Sequence, residues 1–269
     1  MSRVAYVMIR DQPWYRRSAF TRGLKACGFD VQLRQPDKLD ASTVLVIWNR
    51  YAGNHEIATR VERAGGAVLV AENGYIGAGG GSPKFQVHPG GPKPEDYYCV
   101  ARRFHNDDTQ TKAGDWDRFG DIGVALKPWR TGGEYLLVCP NRSFGVTGRA
   151  MPTDWAEGCV RRLRKASQIP VRVRPHPGNN APSRPLSQDL QGAAAVYVWS
   201  SSCGVHALAE GIPVYCDAPY WILKGAAATP GNPVLPDRRP HFHALAWAQF
   251  TCSEIESGLP FGHLLECPQ

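Results

Sequence analysis

The stretch from Val171 to Asp217 constrains the fold of this 269-residue chain most strongly. It reads VRVRPHPG and, after a short polar gap, DLQGAAAVYVWSSSCGVHALAEGIPVYCD. Short apolar runs alternate here with helix-length segments, which predicts a strand, helix, strand, helix, strand unit. Parallel strands joined in this way bind ligands beyond their carboxyl ends. The residues there are Arg174, His176 and Ser200 to Ser202, whose charge, imidazole and hydroxyls suit an anionic phosphate at a helix N-terminus.

The rest of the chain alternates in the same manner. The predicted strands are Val4 to Ile9, Val31 to Leu33, Thr43 to Trp48, Ala67 to Ala71 and Tyr135 to Cys139. The predicted helices are Arg16 to Ala26, Glu56 to Arg63, Trp155 to Ala166 and His241 to Phe250, the last followed by a capping sequence, Ser253 to Glu256. Two segments, Glu72 to Asp96 and Phe104 to Phe119, have no regular period and are expected to be loops. This order predicts two α/β domains facing each other across a cleft, at 1–130 and 131–240, followed by a tail at 241–269.

Composition narrows the class of protein. A net charge of +7 favours a polyanionic partner or a phosphorylated substrate, although each basic cluster could equally be a solvated helix face. Eight scattered cysteines without a CxxC pair predict reduced thiols rather than disulfides or zinc. The first ten residues are too short and too charged for a signal peptide, and no run approaches the ~18 apolar residues of a membrane helix. We therefore expect a cytoplasmic protein without a membrane span.

The second domain supplies the candidates for phosphate binding. Arg142 follows a strand and could reach a diphosphate, the serines could cap a helix starting near Gly204, and Glu210 could accept hydrogen bonds from a ribose. The alternatives are simple capping for the serines, a solvated helix end for Glu210 and a rigid turn for His176. The full set of candidates is Arg142, Ser143, Gly145, Arg174, His176, Ser200, Ser201, Ser202, His206 and Glu210.

A general base is expected from the irregular loops of the first domain. Glu72 is the first choice because it directly follows a buried strand, although hydrogen bonding to the glycine loop is an alternative role. The rivals are His105, Asp107, Asp108, Asp11 and His55, and the expected acceptor-side residues are Arg50, Asn73 and Tyr75. Ser202 lies in no GxSxG elbow, and no DxD pattern stands at a convincing strand end. We therefore expect no essential metal or cofactor.

Six short motifs carry a family resemblance. They are WNRY at Trp48 to Tyr51, AENGYIG at Ala71 to Gly77, FHND at Phe104 to Asp107, RPHPG at Arg174 to Gly178, WSSSCGVHALAEGIPVYCDAPYW at Trp199 to Trp221, and LAWAQFTCSEIESG at Leu245 to Gly258. In these motifs the chain resembles GT-B glycosyltransferases, in particular the capsule-polysaccharide (Kdo-transferase-like) group and its small phage-encoded relatives. The resemblance implies two Rossmann-like domains, a nucleotide-sugar donor (a UDP-sugar is expected) in the second, the acceptor in the first, and a final helix crossing back to the first domain.

The compact size, the phage-like resemblance and the basic charge favour transfer of a sugar to a hydroxymethylated pyrimidine in phage DNA. In this prediction the target base flips into the cleft and Glu72 or His105 deprotonates its hydroxyl. A phage-encoded enzyme would act in the host cell cytoplasm, and no protein partner is inferred. One alternative acceptor is a surface polysaccharide or a lipid-linked sugar. Another alternative is a nucleotide- or DNA-binding module without catalysis.

Overall fold

The computed structural model describes residues 3–76, 96–179, 184–232 and 234–265. Within them the chain forms two compact units. The first unit takes its residues from Met1–His105, Gln110–Arg118 and Ala246–Gln269, and the second from Asn106–Thr109 and Phe119–Leu245. The first unit is therefore built from both the early and the late parts of the sequence.

The strands are β1 (Arg3–Met8), β2 (Phe29–Gln32), β3 (Val44–Trp48), β4 (Ala67–Asn73), β5 (Tyr97–Arg102), β6 (Tyr135–Cys139), β7 (Val171–Val173), β8 (Ala193–Val198), β9 (Val214–Cys216) and β10 (Gln249–Thr251). The helices are α1 (Arg17–Ala26), α2 (Gly53–Arg63), α3 (Trp155–Ala166), α4 (Leu186–Gln191), α5 (Cys203–Ala209), α6 (Arg239–Ala246), α7 (Cys252–Ser257) and α8 (Leu259–Leu265). Most predicted elements are confirmed to within a few residues. No helix in the described part of the chain has the length and apolar character needed to span a membrane.

The first unit contains a six-stranded sheet with the order β10-β5-β4-β3-β1-β2. Strands β1 to β4 run parallel, whereas β5 and β10 are antiparallel to their neighbours. Alternate side chains of β3 face opposite sides of the sheet. Val44 and Val46 pack in a core with α1 and α7, while Leu45 and Ile47 pack against α2. Burial on both faces explains why β3 reads as a continuous apolar run.

The late part of this sheet differs from the prediction. The helix expected from His241 to Phe250 ends at Ala246, and Gln249–Thr251 form strand β10 beside β5. The buried Gln249 side chain accepts hydrogen bonds from the backbone N–H groups of Tyr75 (2.8 Å) and Ile76 (3.1 Å). These partners are remote in sequence, so a local periodicity could not reveal the strand.

The predicted helix cap and loop boundaries also need correction. Thr251, rather than Ser253, caps α7, and it forms a capping box with Glu254. Glu72 and Asn73 complete β4 instead of opening a loop, and β5 was not predicted. Residues 77–95 of the predicted loop lie outside the described residues.

The second unit contains a four-stranded parallel sheet with the order β7-β6-β8-β9. The predicted strand, helix, strand, helix, strand run from Val171 is confirmed. Trp155, Cys159 and Leu163 of α3 pack against the apolar side chains of β6. The parallel strands of the first unit follow the same order, β2-β1-β3-β4, so the two units share one α/β plan.

Candidate functional site

The strand order of the second unit produces a switch point, which we call the crevice, at the carboxyl ends of β6 and β8. From β6 the chain crosses to β7 on one side, and then to β8 on the other side. The loops after β6 and β8 therefore leave in different directions, and ligands of open α/β sheets bind at such a switch point. Asn141 follows β6, and its Oδ1 accepts a hydrogen bond of 3.0 Å from the backbone N–H of Ser200, which follows β8. This hydrogen bond joins the two loops at the crevice.

The serine cluster opens helix α5, which begins at Cys203 rather than near Gly204. The buried Ser201 accepts a hydrogen bond from the Cys203 N–H through its Oγ (3.3 Å), while Ser202 makes no side-chain cap hydrogen bond. The next two N–H groups donate to the backbone carbonyls of Ser201 and Ser202. These three N–H groups are engaged within the turn, contrary to the prediction that they are exposed to a phosphate. The serine hydroxyls remain candidates.

His176 and Arg142 lie next to each other at the same edge. The Nδ1 atom of His176 accepts a 2.9 Å hydrogen bond from the Gly178 N–H, which places the ring proton of the neutral imidazole on Nε2. Burial lowers the pKa of His176, and the positive charge of Arg142 lowers it further. At neutral pH this histidine is therefore a hydrogen-bond donor without charge, beside a guanidinium.

Gly178 makes this pairing possible. A Cβ atom at Gly178 would lie 3.0 Å from Cδ of Arg142 and 3.1 Å from Nδ1 of His176. A side chain at this position would therefore require Arg142 or His176 to shift by a few tenths of an ångström. The guanidinium of Arg142 also stacks on Phe144, 4.3 Å from the ring centroid.

Arg174 is engaged inside the unit. Its buried guanidinium pairs with Asp189 and donates to the Arg184 carbonyl at 2.6 Å. This argues against the predicted contact with a diphosphate, because the charge already has a partner.

Two thiols lie beside Arg174. The thiol of Cys139 donates to Cys203, and this hydrogen bond, with help from Ser201 and Arg174, lowers the pKa of Cys203 despite its burial. The same contact raises the pKa of Cys139. Cys203 is therefore the more acidic of these two buried thiols.

The other donor-side candidates are dispersed. Ser143 is exposed, and Gly145 has a φ of 149° that a glycine adopts readily. His206 is half-buried within α5, where burial lowers its pKa and Glu210 partly opposes that effect. Glu210 lies at the far end of α5 and pairs with Lys127 at 2.6 Å. The structure does not bring Glu210 to the crevice, because α5 separates it from the serines.

The loop Asn106–Thr109 belongs to the second unit and brings polar side chains to it. Asn106, with a left-handed φ of 59°, donates from Nδ2 to the Ser200 carbonyl (2.8 Å) and accepts at Oδ1 from the Ile222 N–H (3.4 Å). Asp107 is 1% exposed and pairs with Arg149 at 2.7 Å. Its carboxylate also accepts from Thr109, which argues against its predicted role as a base.

Asp108 differs from its neighbour. Burial raises its pKa, and the negative charge of Asp107 raises it further. The pKa of Asp108 therefore lies above the ordinary value of an aspartate carboxyl group.

In the first unit the two preferred bases lie apart. Glu72, near the carboxyl end of β4, stands opposite Cys99, and its Oε1 accepts from the Asn73 N–H at 3.0 Å. This bond agrees with the alternative role of Glu72 at the strand end. His105 comes after Arg102, at the other end of β5. The register thus separates Glu72 from His105 along β5.

The acceptor-side candidates Arg50 and Tyr75 are engaged in the core. Arg50 donates to both carboxylate oxygens of Glu62 at 2.7 Å and to the Arg103 carbonyl at 2.7 Å. Tyr75 is buried, and its hydroxyl contacts the Cys99 sulfur at 3.1 Å. Both arrangements argue against direct contact with an acceptor. Asn73 has a buried Oδ1 without a hydrogen-bond partner among the described residues.

Two rival bases also have partners. His55 accepts from Nε of Arg50 through Nδ1 at 3.4 Å, and the exposed Asp11 pairs with Arg17. Among the described residues, no group of three or more His, Cys, Asp or Glu side chains is arranged to hold a metal ion.

Comparison with known proteins identifies the fold. No protein-family model and no curated protein matches the sequence. A solved structure of Thermosulfurimonas dismutans KpsC, beta Kdo 2,7 transferase, is similar to this chain, with a TM-score of 0.56 and 14% sequence identity. The match covers 96% of this chain and 98% of the KpsC chain. Thermosulfurimonas dismutans KpsC, beta Kdo 2,4 transferase, matches 93% of each chain, with a TM-score of 0.56 and 12% identity. This chain has the fold of these Kdo transferases. The predicted likeness to Kdo-transferase-like glycosyltransferases is thereby confirmed at the level of the fold.

Sequence reasoning missed three residues that this Kdo-transferase fold brings to the crevice. Asn141 and Asn106 both hydrogen-bond to the backbone of Ser200, and Gly178 gives Arg142 and His176 room. Each lies within or beside a motif that was noticed, namely the loop after β6, FHND and RPHPG. The sequence pattern therefore marks these segments, but it does not show that they lie next to one another in the folded chain.

Proposed function

We propose that this chain is a glycosyltransferase that moves a sugar from a nucleotide-activated donor to an acceptor hydroxyl. The observation that carries the proposal is the placement of Arg142, His176 and Ser200 at the switch point of the second sheet, within a fold shared with Kdo transferases. Positive charge and neutral donors at this position suit the diphosphate or phosphate of an activated sugar. The proposal includes the GT-B arrangement, in which the first unit binds the acceptor and the second unit binds the donor.

The proposed reaction is attack by an acceptor hydroxyl on the anomeric carbon, with departure of the nucleotide. Arg142 and Nε2–H of His176 would stabilise the negative charge that develops on the leaving phosphate oxygen. Glu72 or His105 would take the proton of the attacking hydroxyl. Asp107 is left out of this scheme because Arg149 and Thr109 occupy its carboxylate.

Two acceptor classes follow from different observations. The two solved structures compared above are described as Kdo transferases, which favours a saccharide acceptor and an acidic sugar such as Kdo as the group transferred. The net charge of +7 favours hydroxymethylated DNA as the second candidate, because a basic surface attracts a phosphate backbone. A UDP-sugar and CMP-activated Kdo are the donors to compare.

The test is a transfer assay with purified protein and CMP-, UDP- and GDP-activated sugars. Saccharides and a hydroxymethylcytosine oligonucleotide serve as acceptors, and mass spectrometry detects the product. We expect Arg142→Ala and His176→Ala to reduce turnover by about 10²-fold. The exposed control Arg34→Ala should retain full turnover, because Arg34 pairs on the surface with Asp37.

Two results contradict the proposal. One is full turnover by both Arg142→Ala and His176→Ala, which would place the donor elsewhere. The other is tight nucleotide binding without transfer to any acceptor, which would favour the alternative of a non-catalytic nucleotide-binding module.

A further inference from the structure

The first unit has a polar depression away from the carboxyl end of its parallel strands. It encloses about 360 Å³ and is lined by Glu62 at the end of α2, by residues 65–68, and by Arg102, Arg103 and Gln110. Residues 67 and 68 begin β4, whereas Glu72 and Asn73 lie at the opposite end of that strand. Because β5 runs antiparallel to β4, Arg102 at its end comes back to this amino end. The depression is therefore distinct from the expected acceptor residues at Glu72 and Asn73.

The charge of this depression is positive. Arg102 and Arg103 are both exposed, and no carboxylate of the described residues pairs with Arg102. Glu62 is the carboxylate of the lining, and both of its oxygens already accept 2.7 Å hydrogen bonds from Arg50. Burial alone would raise the pKa of Glu62, but the hydrogen bond and charge of Arg50 outweigh it and hold the pKa low. Glu62 therefore remains an anion that Arg50 shares with Arg103, whose Nε lies 3.5 Å from Oε1 of Glu62. The single carboxylate faces three guanidinium groups, so the lining keeps an excess of positive charge, and Arg102 has no carboxylate partner among the described residues.

The backbone of Arg103 is held in an uncommon conformation. Its φ is 64°, in the left-handed region that non-glycine residues rarely adopt. Its N–H donates to the Val68 carbonyl at 2.9 Å, and its carbonyl accepts from Arg50 at 2.7 Å. Such conformations persist where the surroundings enforce them, and they are concentrated at binding and active sites. The buried Arg50–Glu62 pair thus fixes the position of Arg103 before any ligand arrives.

We propose that this depression binds an oxyanion, the phosphate group of a small polar molecule, between Arg102 and Arg103. Guanidinium groups match the geometry of phosphate oxygens through paired N–H donors. The volume falls at the lower end of the range of small-molecule sites, and it can hold more than the phosphate alone. A free phosphate ion and a phosphorylated sugar share this chemistry.

The test is thermal unfolding in phosphate-free buffer at constant ionic strength, with inorganic phosphate, glucose 6-phosphate and glucose as probes. We expect both phosphates to raise the melting temperature of the wild type, and glucose to have no effect. The double variant Arg102→Ala/Arg103→Ala should bind the phosphates about tenfold more weakly. The matched control is Arg161→Ala, which removes an exposed arginine from α3 of the second unit and should leave the binding unchanged.

The outcomes separate the sources of the oxyanion. Tighter binding of glucose 6-phosphate than of inorganic phosphate would identify a phosphorylated sugar, and equal binding would identify the free ion. Equal shifts in the wild type and the double variant, or no shift up to about 20 mM, would overturn the proposal. Phosphate bound at Arg142 and His176 would survive in the double variant, so failure here is distinguishable from failure of the proposed function. If the double variant does not fold, Arg102→Ala alone provides the test, because this side chain is exposed.

Discussion

Replacing Arg50 by methionine tests whether this arginine supports the first unit or meets an acceptor. Its side chain is 3% exposed, and that of its partner Glu62 is 18% exposed. Removing one member of a buried ion pair typically costs about 3–5 kcal/mol, because the other charge stays buried without its partner. Arg50→Met also removes a hydrogen bond to the Arg103 carbonyl, worth about 1 kcal/mol. The lost contact with the Phe104 ring, 4.1 Å from the guanidinium, is worth about 0.5–1 kcal/mol more.

These contributions overlap, so we expect Arg50→Met to lower the free energy of unfolding by about 3–5 kcal/mol. The double variant Arg50→Met/Glu62→Leu removes both charges together. It should lose about 1–2 kcal/mol, because the contacts with Arg103, Phe104 and His55 are then missing while no buried charge is left without a partner. Urea unfolding followed by circular dichroism measures each variant and gives the coupling between the two side chains.

The control is a surface pair of the same chemistry. Arg34 and Asp37 form an ion pair whose side chains are 52% and 75% exposed. Arg34→Ala should change the stability by less than about 1 kcal/mol. The structural role would be refuted if Arg50→Met lowered the free energy of unfolding by less than about 1 kcal/mol, or if the double variant were less stable than Arg50→Met alone.

Two further predictions concern the second unit. Gly204→Ala would place a Cβ atom 2.8 Å from the fully buried Trp221 ring, so it should lower the free energy of unfolding in urea by about 1–3 kcal/mol. The control Gly158→Ala has open space around its Cβ and should raise the free energy of unfolding by about 0.5–1 kcal/mol. Equal effects of the two substitutions would contradict the packing argument. Burial lowers the pKa of His206 below its ordinary value of 6.5, so the unfolded chain binds more protons as the pH falls. The stability that depends on neutral His206 is complete above pH 6.5 and is lost as the pH falls through the pKa of the folded state. In the variant His206→Gln, the free energy of unfolding should therefore change less with pH between about 7.5 and 5. An unchanged slope would exclude His206 as the titrating group.

The sequence predicted the elements whose signal is local. The run Val44–Trp48 is apolar throughout because both faces of β3 are covered, and its pattern alone identifies it. Strand β10 could not be found in this way. Gln249 is polar, yet it is buried, because its side-chain amide satisfies backbone groups of Tyr75 and Ile76. Such a pairing exists only after the chain has folded.

The same distinction applies to the candidate site. Arg142, His176 and Ser200 follow strands of one parallel sheet, so their common edge could be derived from the strand order. Asp107 and Arg174 looked equally suited to chemistry, but each has an opposite charge beside it in the structure. Ion pairing between distant segments leaves no trace in spacing. The strand order therefore predicts where the candidate site lies, whereas residue spacing does not reveal which charged side chains are already ion-paired.

The division of the first unit between the two ends of the chain determines when that unit can be completed. Strand β10 pairs with β5, and residues of α7 and α8 pack in the same core as α1. A ribosome that has just released β5 must still synthesise the whole second unit before β10 appears, a delay on the order of ten seconds. During that time the outer edge of β5 has no strand to cover it, and the second unit receives its last strand, β9, before β10 is made. The unit that begins the chain is thus the last to be finished in the cell.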